Sequence, residues 1–224
     1  MKKSIYVVII ALFLLILTGC DDSTNDTMSH GTWHGHIYVN ELMGFQFELP
    51  VTWYMYTVEE KAFWSSVAFP HMINEYFGGN PYYLSEYPTI SDMRSREFLT
   101  ENTVAINIQE LSSATARLLN TRDVLRDTMN LLLELDVGYH NFHIGESTRQ
   151  LGNSDWHYMF FERYTNRASA FFVSMHGRFL YTIHITIHTG TKQDIEAIWE
   201  LFSDISPLYL GSEGIIPTIR MCYV

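Results

Sequence analysis

Cysteine is scarce in this chain, with 2 residues in 224, which excludes a disulfide-rich scaffold. Basic residues are also few, because 14 Lys and Arg against 25 Asp and Glu give a formal net charge of −11. This balance excludes the basic face that binds nucleic acid, so no nucleic-acid partner is expected. The hydrophobic fraction of 47% is ordinary for a globular protein and excludes a wholly disordered chain.

Recognisable catalytic motifs are missing as well. The sequence contains no Gly-x-Ser-x-Gly nucleophile elbow, no Gly-x-x-x-x-Gly-Lys phosphate loop, no Cys-x-x-Cys and no His-Glu-x-x-His. We therefore expect a protein that is not an enzyme. The alternative is a hydrolase without a recognisable motif, which would need a buried acid–base pair with shifted pKa values in a cleft.

The amino terminus predicts a secretory signal. Lys2 and Lys3 precede an uncharged apolar run from Ile5 to Leu17, which is shorter than the roughly 20 residues that a spanning helix needs. The run ends in Leu-Thr-Gly-Cys at residues 17–20, which resembles the bacterial lipobox. That resemblance implies cleavage before Cys20 and covalent attachment of lipid to it. We expect a lipid-anchored protein on the extracytoplasmic face of the cell membrane.

The chain divides into four segments by composition. Residues 1–19 form the signal peptide, and the polar residues 20–32 predict a flexible tether. Residues 33–207 are expected to fold as one domain, followed by a C-terminal tail over 208–224. Apolar alternation and turn residues predict the strands at 33–39, 45–49, 53–58, 103–111, 142–150, 155–164, 168–176 and 179–188. Helices are predicted over 59–68, about 121–136 and 191–205, whereas 70–100 is the least regular part.

The last predicted helix carries the clearest local signals. Thr191 and Asp194 have the spacing of a capping box. A buried stripe is predicted at helical spacing, formed by Ile195, Ile198, Trp199 and Phe202. A helix, an antiparallel meander and a final helix predict an α+β fold, with a central antiparallel sheet flanked by helices.

Several short motifs resemble the PsbP-like lipoproteins. They are Tyr38-x-Asn40, the run Gly44-Phe45-x-Phe47-x-Leu49-Pro50-x-x-Trp53, and Asp92-Met93 before Val104-Ala105-Ile106-Asn107-Ile108. The resemblance covers roughly residues 33–207. It implies an α/β/α sandwich and a non-catalytic assembly role such as the plant members have, and it carries over no catalytic residue.

Aromatic residues crowd the irregular segment. Aromatic side chains on a long loop favour a protein interface, because they combine apolar area with a polar tip. The residues predicted to bind a protein partner of the cell envelope are Tyr76, Phe77, Tyr82, Tyr83 and Tyr87. The other interpretation, a second small core under that loop, stays open.

Histidine is the one enriched residue type, with 10 copies. His34 and His36 are two apart, so in one strand they would share a face about 6.7 Å apart and hold a divalent transition metal. His30 would be a third ligand. The alternative is that these are exposed polar residues of a sheet. Apart from this possible metal and the lipid on Cys20, no cofactor is expected.

Overall fold

The computed structural model describes residues 28, 30–63, 89–134, 138–164 and 166–206. In chain order the strands are β1 (Thr32–His34), β2 (Ile37–Asn40), β3 (Phe45–Glu48), β4 (Trp53–Met55), β5 (Thr89–Glu97), β6 (Thr103–Glu110), β7 (Tyr139–Ile144), β8 (Arg149–Leu151), β9 (Ser154–Arg163), β10 (Arg167–His176), β11 (Phe179–Ile187) and β12 (Phe202–Asp204). The helices are α1 (Val58–Phe63), α2 (Ser113–Leu118), α3 (Thr121–Glu134) and α4 (Lys192–Trp199).

The strands of these residues form two antiparallel sheets. The larger sheet has the order β4-β5-β6-β11-β10-β9-β7, with β8 paired to β9, and the smaller one has the order β1-β2-β3-β12. The described residues are mostly antiparallel sheet with few helices. The α+β class is therefore compatible with the structure, although sheet dominates it more than the predicted helix-flanked sandwich implies.

One face of the larger sheet packs against the smaller sheet and α4. The aromatic rings of this core lie close together, with Phe45 5.9 Å from Trp156 and Phe47 4.7 Å from Phe202 between ring centroids. Ile195 and Ile198 of α4 are buried in the same cluster. The opposite face packs against α3, whose buried Leu125 meets Met159 and Phe161 of β9. The larger sheet is thus the shared middle layer.

Arg149 ties α4 to the larger sheet. Its guanidinium donates two hydrogen bonds to Glu196, at 2.5 and 2.7 Å, and lies 4.7 Å from the centre of the Tyr158 ring. The same group lies within 6 Å of the rings of Phe160, Phe172 and Trp199. Arginine suits this position, because its planar guanidinium can donate two parallel hydrogen bonds to the Glu196 carboxylate and can also lie against aromatic rings.

Most predicted elements are present, with shifted ends. The capping box of α4 is confirmed, because Asp194 accepts from the Thr191 backbone and Thr191 accepts from Gln193. The helix ends at Trp199, however, and the prediction that Phe202 belongs to it is wrong. Phe202 lies in β12, where it pairs with Phe47 of β3. It still reaches the predicted core, but from a strand of the smaller sheet.

Four other elements differ from the prediction. The strand predicted at 142–150 is two strands, β7 and β8, and the third strand ends at Met55. A strand, β5, occupies part of the segment that was predicted to be irregular, and α2 was not predicted at all. The rest of the helix predicted at 59–68 lies outside the described residues beyond Phe63. No helix in the described part of the chain is long and apolar enough to cross a membrane.

Candidate functional site

The predicted histidine pair does not have the geometry on which the metal hypothesis rested. The strand expected over 33–39 turns back at Gly35 and His36, so that His34 of β1 pairs with Ile37 of β2. Gly35 has φ +66°, which suits the first central position of a type II′ turn. His34 and His36 therefore do not share a strand face, and that expectation is wrong.

The contacts of these histidines are local. His34 Nε2 lies 3.1 Å from the Thr32 hydroxyl, and His36 Nε2 lies 3.5 Å from Glu48 Oε1 at the surface. Over the residues that the structure describes, no group of three or more His, Cys, Asp or Glu side chains could hold a metal ion. The other predicted site residues, Cys20, Tyr76, Phe77, Tyr82, Tyr83 and Tyr87, lie outside the described residues.

His30, the predicted third ligand, instead binds a buried carboxylate. Its Nδ1 lies 2.8 Å from Asp92 Oδ1, and the other Asp92 oxygen accepts hydrogen bonds from the Gly31 N–H at 2.9 Å and from the Tyr38 hydroxyl. Burial, with Asp92 as the next cause, raises the pKa of Tyr38 well above its usual value. The hydroxyl therefore stays protonated and donates. We call His30, Gly31, Tyr38 and Asp92 the Asp92 cluster. It joins the chain just ahead of β1 to β5.

A second feature is an exposed apolar surface at the β4 edge of the larger sheet. Val51, Phe98 and Leu99 are 99%, 65% and 87% exposed. The turns that carry them are adjacent, because the Phe98 N–H donates to the Thr52 carbonyl at 3.0 Å. Large apolar side chains grouped at the surface mark interaction sites more often than scattered ones do. The sequence did not predict this surface, because Val51 lies in one turn and Phe98 and Leu99 in another, and single apolar residues in turns show no helical or strand periodicity.

A row of aromatic rings continues this surface along β4. The Phe98 ring lies 5.0 Å from that of Tyr54, which is stacked 5.5 Å from Tyr56. The guanidinium of Arg94 lies 5.5 Å from the Tyr56 ring, and burial lowers the pKa of Arg94. We call Val51, Tyr54, Tyr56, Phe98 and Leu99 the edge surface. Tyrosine and arginine at an apolar patch are the composition of a binding interface.

The exposed charges beside the edge surface are mainly acidic. Glu59 and Glu60 are exposed at the start of α1, directly after Tyr56 and Thr57. Glu101 is exposed two residues beyond Leu99 and forms an ion pair with Arg96. Opposite Tyr54, Arg96 occupies the paired position on β5. The surface thus combines an apolar centre with an acidic rim.

His184 is a buried histidine of β11 with a strongly lowered pKa. Burial, followed by the charge of Arg94, lowers its pKa from 6.5 to about 3. Its ring is stacked 4.3 Å from that of Phe171, and its Nε2 lies 3.1 Å from the Thr186 hydroxyl. At neutral pH the ring is therefore uncharged and packs as an aromatic side chain.

Comparisons with known proteins give no family for the chain. No family model matches it, and no curated protein does. Among solved structures, it is similar to cyanobacterial PsbP (CyanoP) from Synechocystis sp. PCC 6803, with a TM-score of 0.45 and 13% identity over 84% of this chain and 99% of that one. It is also similar to the extracellular domain of PknH from Mycobacterium tuberculosis, with a TM-score of 0.29 and 9% identity over 57% of this chain and 66% of that one.

Proposed function

We propose that this protein is a lipid-anchored, extracytoplasmic binding module that has no catalytic role. In this proposal Cys20 carries the lipid, the polar tether separates the body from the membrane, and the folded domain docks a protein partner of the envelope. The motifs that resemble the PsbP-like lipoproteins support the finer assignment of the domain to that family. Of these motifs, Tyr38 and Asn40 are fully buried in β2, as residues that define a fold usually are.

The observation that carries the proposal is the edge surface. An apolar side chain as exposed as Val51 or Leu99 adds no burial energy to the folded monomer. Burying it against a partner contributes about 25 cal/mol per Å² of apolar area. The tyrosine rings add rigid contact area at a small entropic cost, because each side chain has only two rotatable bonds. The surface therefore has more to gain from a partner than from water.

The acidic rim indicates the chemistry of that partner. Glu59 and Glu60 are exposed shortly after Tyr56 and Glu101 shortly after Leu99, in a chain whose net charge is −11. A matching partner presents apolar side chains surrounded by Lys or Arg, because complementary charges steer association and fix the register of docking. The partner contacts predicted at Tyr76, Phe77, Tyr82, Tyr83 and Tyr87 lie outside the described residues and remain a separate proposal.

The docking proposal predicts a position-specific crosslink. A photoreactive amino acid in place of Leu99, introduced in cells, should give one discrete adduct with an envelope protein. Leu118 on α2 is the matched control, because it is 87% exposed as well but lies outside the edge surface. The second variant Phe98→Asp should reduce the adduct at least tenfold without lowering the melting temperature. Equal adducts at positions 99 and 118, or none at 99, would contradict the proposal.

The anchoring proposal predicts the effect of removing the lipid attachment site. Cys20→Ala should abolish lipid labelling and release the protein from its firm association with the membrane, because two or more acyl chains are needed for stable anchoring. Fractionation after labelling with a fatty-acid analogue measures both effects. Cys222→Ala is the matched control and should change neither. Lipid labelling that persists in Cys20→Ala would contradict the anchoring proposal, whereas membrane association without labelling would show that the uncleaved apolar run at residues 5–17 holds the variant.

A further inference from the structure

A cleft of about 540 Å³ opens where the α2–α3 junction faces the ends of β9 and β10. One wall is the junction at residues 119–121, and the other walls are residues 153–155, His157 and residues 174–176. Its volume is within the range of small-molecule sites, about 300–1,000 Å³, but the cleft is shallow and open to solvent on most sides. All of these lining residues belong to the described part of the chain, and neither the Asp92 cluster nor the edge surface shares any of them.

Eight of the ten lining residues have polar side chains and only one of these is a carboxylate, although polar and apolar atoms contribute about equally to the exposed wall. The polar side chains are those of Asn120, Thr121, Asn153, Ser154, Asp155, His157, Ser174 and His176, and the apolar ones are those of Leu119 and Met175. Asp155 is the one carboxylate in that lining, and neither Lys nor Arg belongs to it. The cleft is therefore rich in hydrogen-bonding groups that carry no permanent charge.

This composition excludes several ligand classes. Phosphates and carboxylates are recognised by arginine and lysine, which the lining does not contain. A lipid or flat aromatic ligand would need predominantly apolar walls. A neutral ligand with many hydroxyl and amide groups remains.

The hydrogen bonds inside the cleft hold its polar groups in place. The Thr121 hydroxyl lies 2.8 Å from His157 Nδ1. Asn120 Oδ1 accepts from the Arg122 N–H at 2.9 Å, which leaves the amide nitrogen of Asn120 to donate to a ligand. The buried Ser174 hydroxyl donates to the Asp155 carbonyl at 2.9 Å. Groups held in this way lose little side-chain entropy when they bind a ligand.

We infer that this cleft binds a neutral oligosaccharide. Sugar hydroxyls both donate and accept, so they match a lining of amides, hydroxyls, imidazoles and one carboxylate. Asp155 and His176 are exposed at the cleft and contribute acceptor and donor groups to the ligand. The cleft lies on β9 and β10, about 19 Å across the sheet from β4 at a strand spacing of about 4.8 Å. It is therefore a site independent of the proposed docking surface.

Titration calorimetry of the full chain tests this inference, in a detergent without a sugar headgroup. The probes are chitotriose and maltotriose, with inorganic phosphate and an acetylated, amidated tripeptide as comparisons. Binding of either trisaccharide at millimolar concentration or below is expected, with affinity about tenfold lower in Asp155→Ala and in His176→Ala, the loss of about one hydrogen bond each. His36→Ala, exposed elsewhere on the surface, is the control and should leave the affinity unchanged.

Each other outcome contradicts the inference. If neither trisaccharide binds, or if phosphate or the tripeptide binds more tightly, the ligand class is wrong. If a trisaccharide binds equally well to Asp155→Ala and His176→Ala, the cleft is not its site. The thermal melt of each variant is recorded in parallel, and because both residues are exposed, melting temperatures close to that of the native chain are expected. Loss of crosslinking at the edge surface would leave these results unaffected.

Discussion

Asp92→Ala is expected to lower the melting temperature by about 6–12 °C, from the loss of about 3 kcal/mol at roughly 2–4 °C per kcal/mol for a domain of this size. Asp92 is 7% exposed and Tyr38 is fully buried. Removing the carboxylate leaves the Tyr38 hydroxyl and the Gly31 N–H without their acceptor, at about 1–3 kcal/mol for each buried group. Differential scanning calorimetry of the native chain and the variant measures the change.

Two further variants separate this effect from a general loss of charge. Asp127→Ala on the exposed surface of α3 is the matched control and should shift the melting temperature by little, as surface substitutions usually do. Tyr38→Phe removes the partner hydroxyl, so the double variant Asp92→Ala/Tyr38→Phe should cost less than the sum of the single changes. Additive costs would mean that the two groups do not depend on one another.

The Asp92 cluster also depends on the glycine beside it. A Cβ added to Gly31 would lie 2.1 Å from the Tyr38 ring, so the backbone donates to Asp92 from a position that only glycine can occupy without displacement of that ring. The cluster therefore has its carboxylate on β5, its hydroxyl on β2 and its backbone donor ahead of β1. These three chain segments meet only in the folded protein.

The second large effect is expected in the dependence of stability on pH. The free energy of unfolding of the native chain, relative to that of His184→Gln, should fall by about 2 kcal/mol between pH 6 and pH 4. Because the folded-state pKa of His184 is lowered to about 3, the unfolded chain takes up the proton first as the pH falls through about 6.5. The stability of the neutral packed ring is complete above pH 6.5 and is lost as the pH falls from there toward 3.

Urea denaturation at a series of pH values measures this difference. His36→Gln is the matched control for the substitution itself, because its ring is 65% exposed in the turn between β1 and β2. Glutamine at position 184 retains an amide that can bond to the Thr186 hydroxyl. If the native chain and His184→Gln lose the same free energy of unfolding as the pH falls from 6 to 4, the lowered pKa of His184 is contradicted.

The local sequence pattern was sufficient to predict the antiparallel meander of β9, β10 and β11 and the final helix α4. Strands β9, β10 and β11 alternate in polarity or form continuous apolar runs, and turn residues separate them, so period and turn chemistry agree. The capping box of α4 is equally local, because Thr191 and Asp194 are three residues apart. These elements could be predicted because each signal lies within a few residues of the structure it specifies.

Strand β5 could not be predicted in this way. Its sequence, Thr-Ile-Ser-Asp-Met-Arg-Ser-Arg-Glu, is mostly polar, and a register shift between Ser91 and Met93 interrupts the alternation. Asp92 is buried only because Tyr38 and Gly31, 54 and 61 residues away in sequence, supply donors. Similarly, the edge surface exists because a strand at β5 brings Phe98 beside Thr52. Tertiary contacts determine both features, and no short window of sequence contains them.

The position of the Asp92 cluster has a mechanical consequence for an anchored protein. The predicted tether over 20–32 would be shortened in an anchored protein, because Met28 already packs against the core. The eight residues from Cys20 to Met28 can extend at most about 28 Å, so the domain would stay within that distance of the bilayer. Any tension along the tether would reach the domain first at Met28, which packs against the core, and then at His30 and Gly31, whose bonds to Asp92 transfer it to β5 in the larger sheet. The load would then be shared by neighbouring strands instead of peeling away the short strand β1.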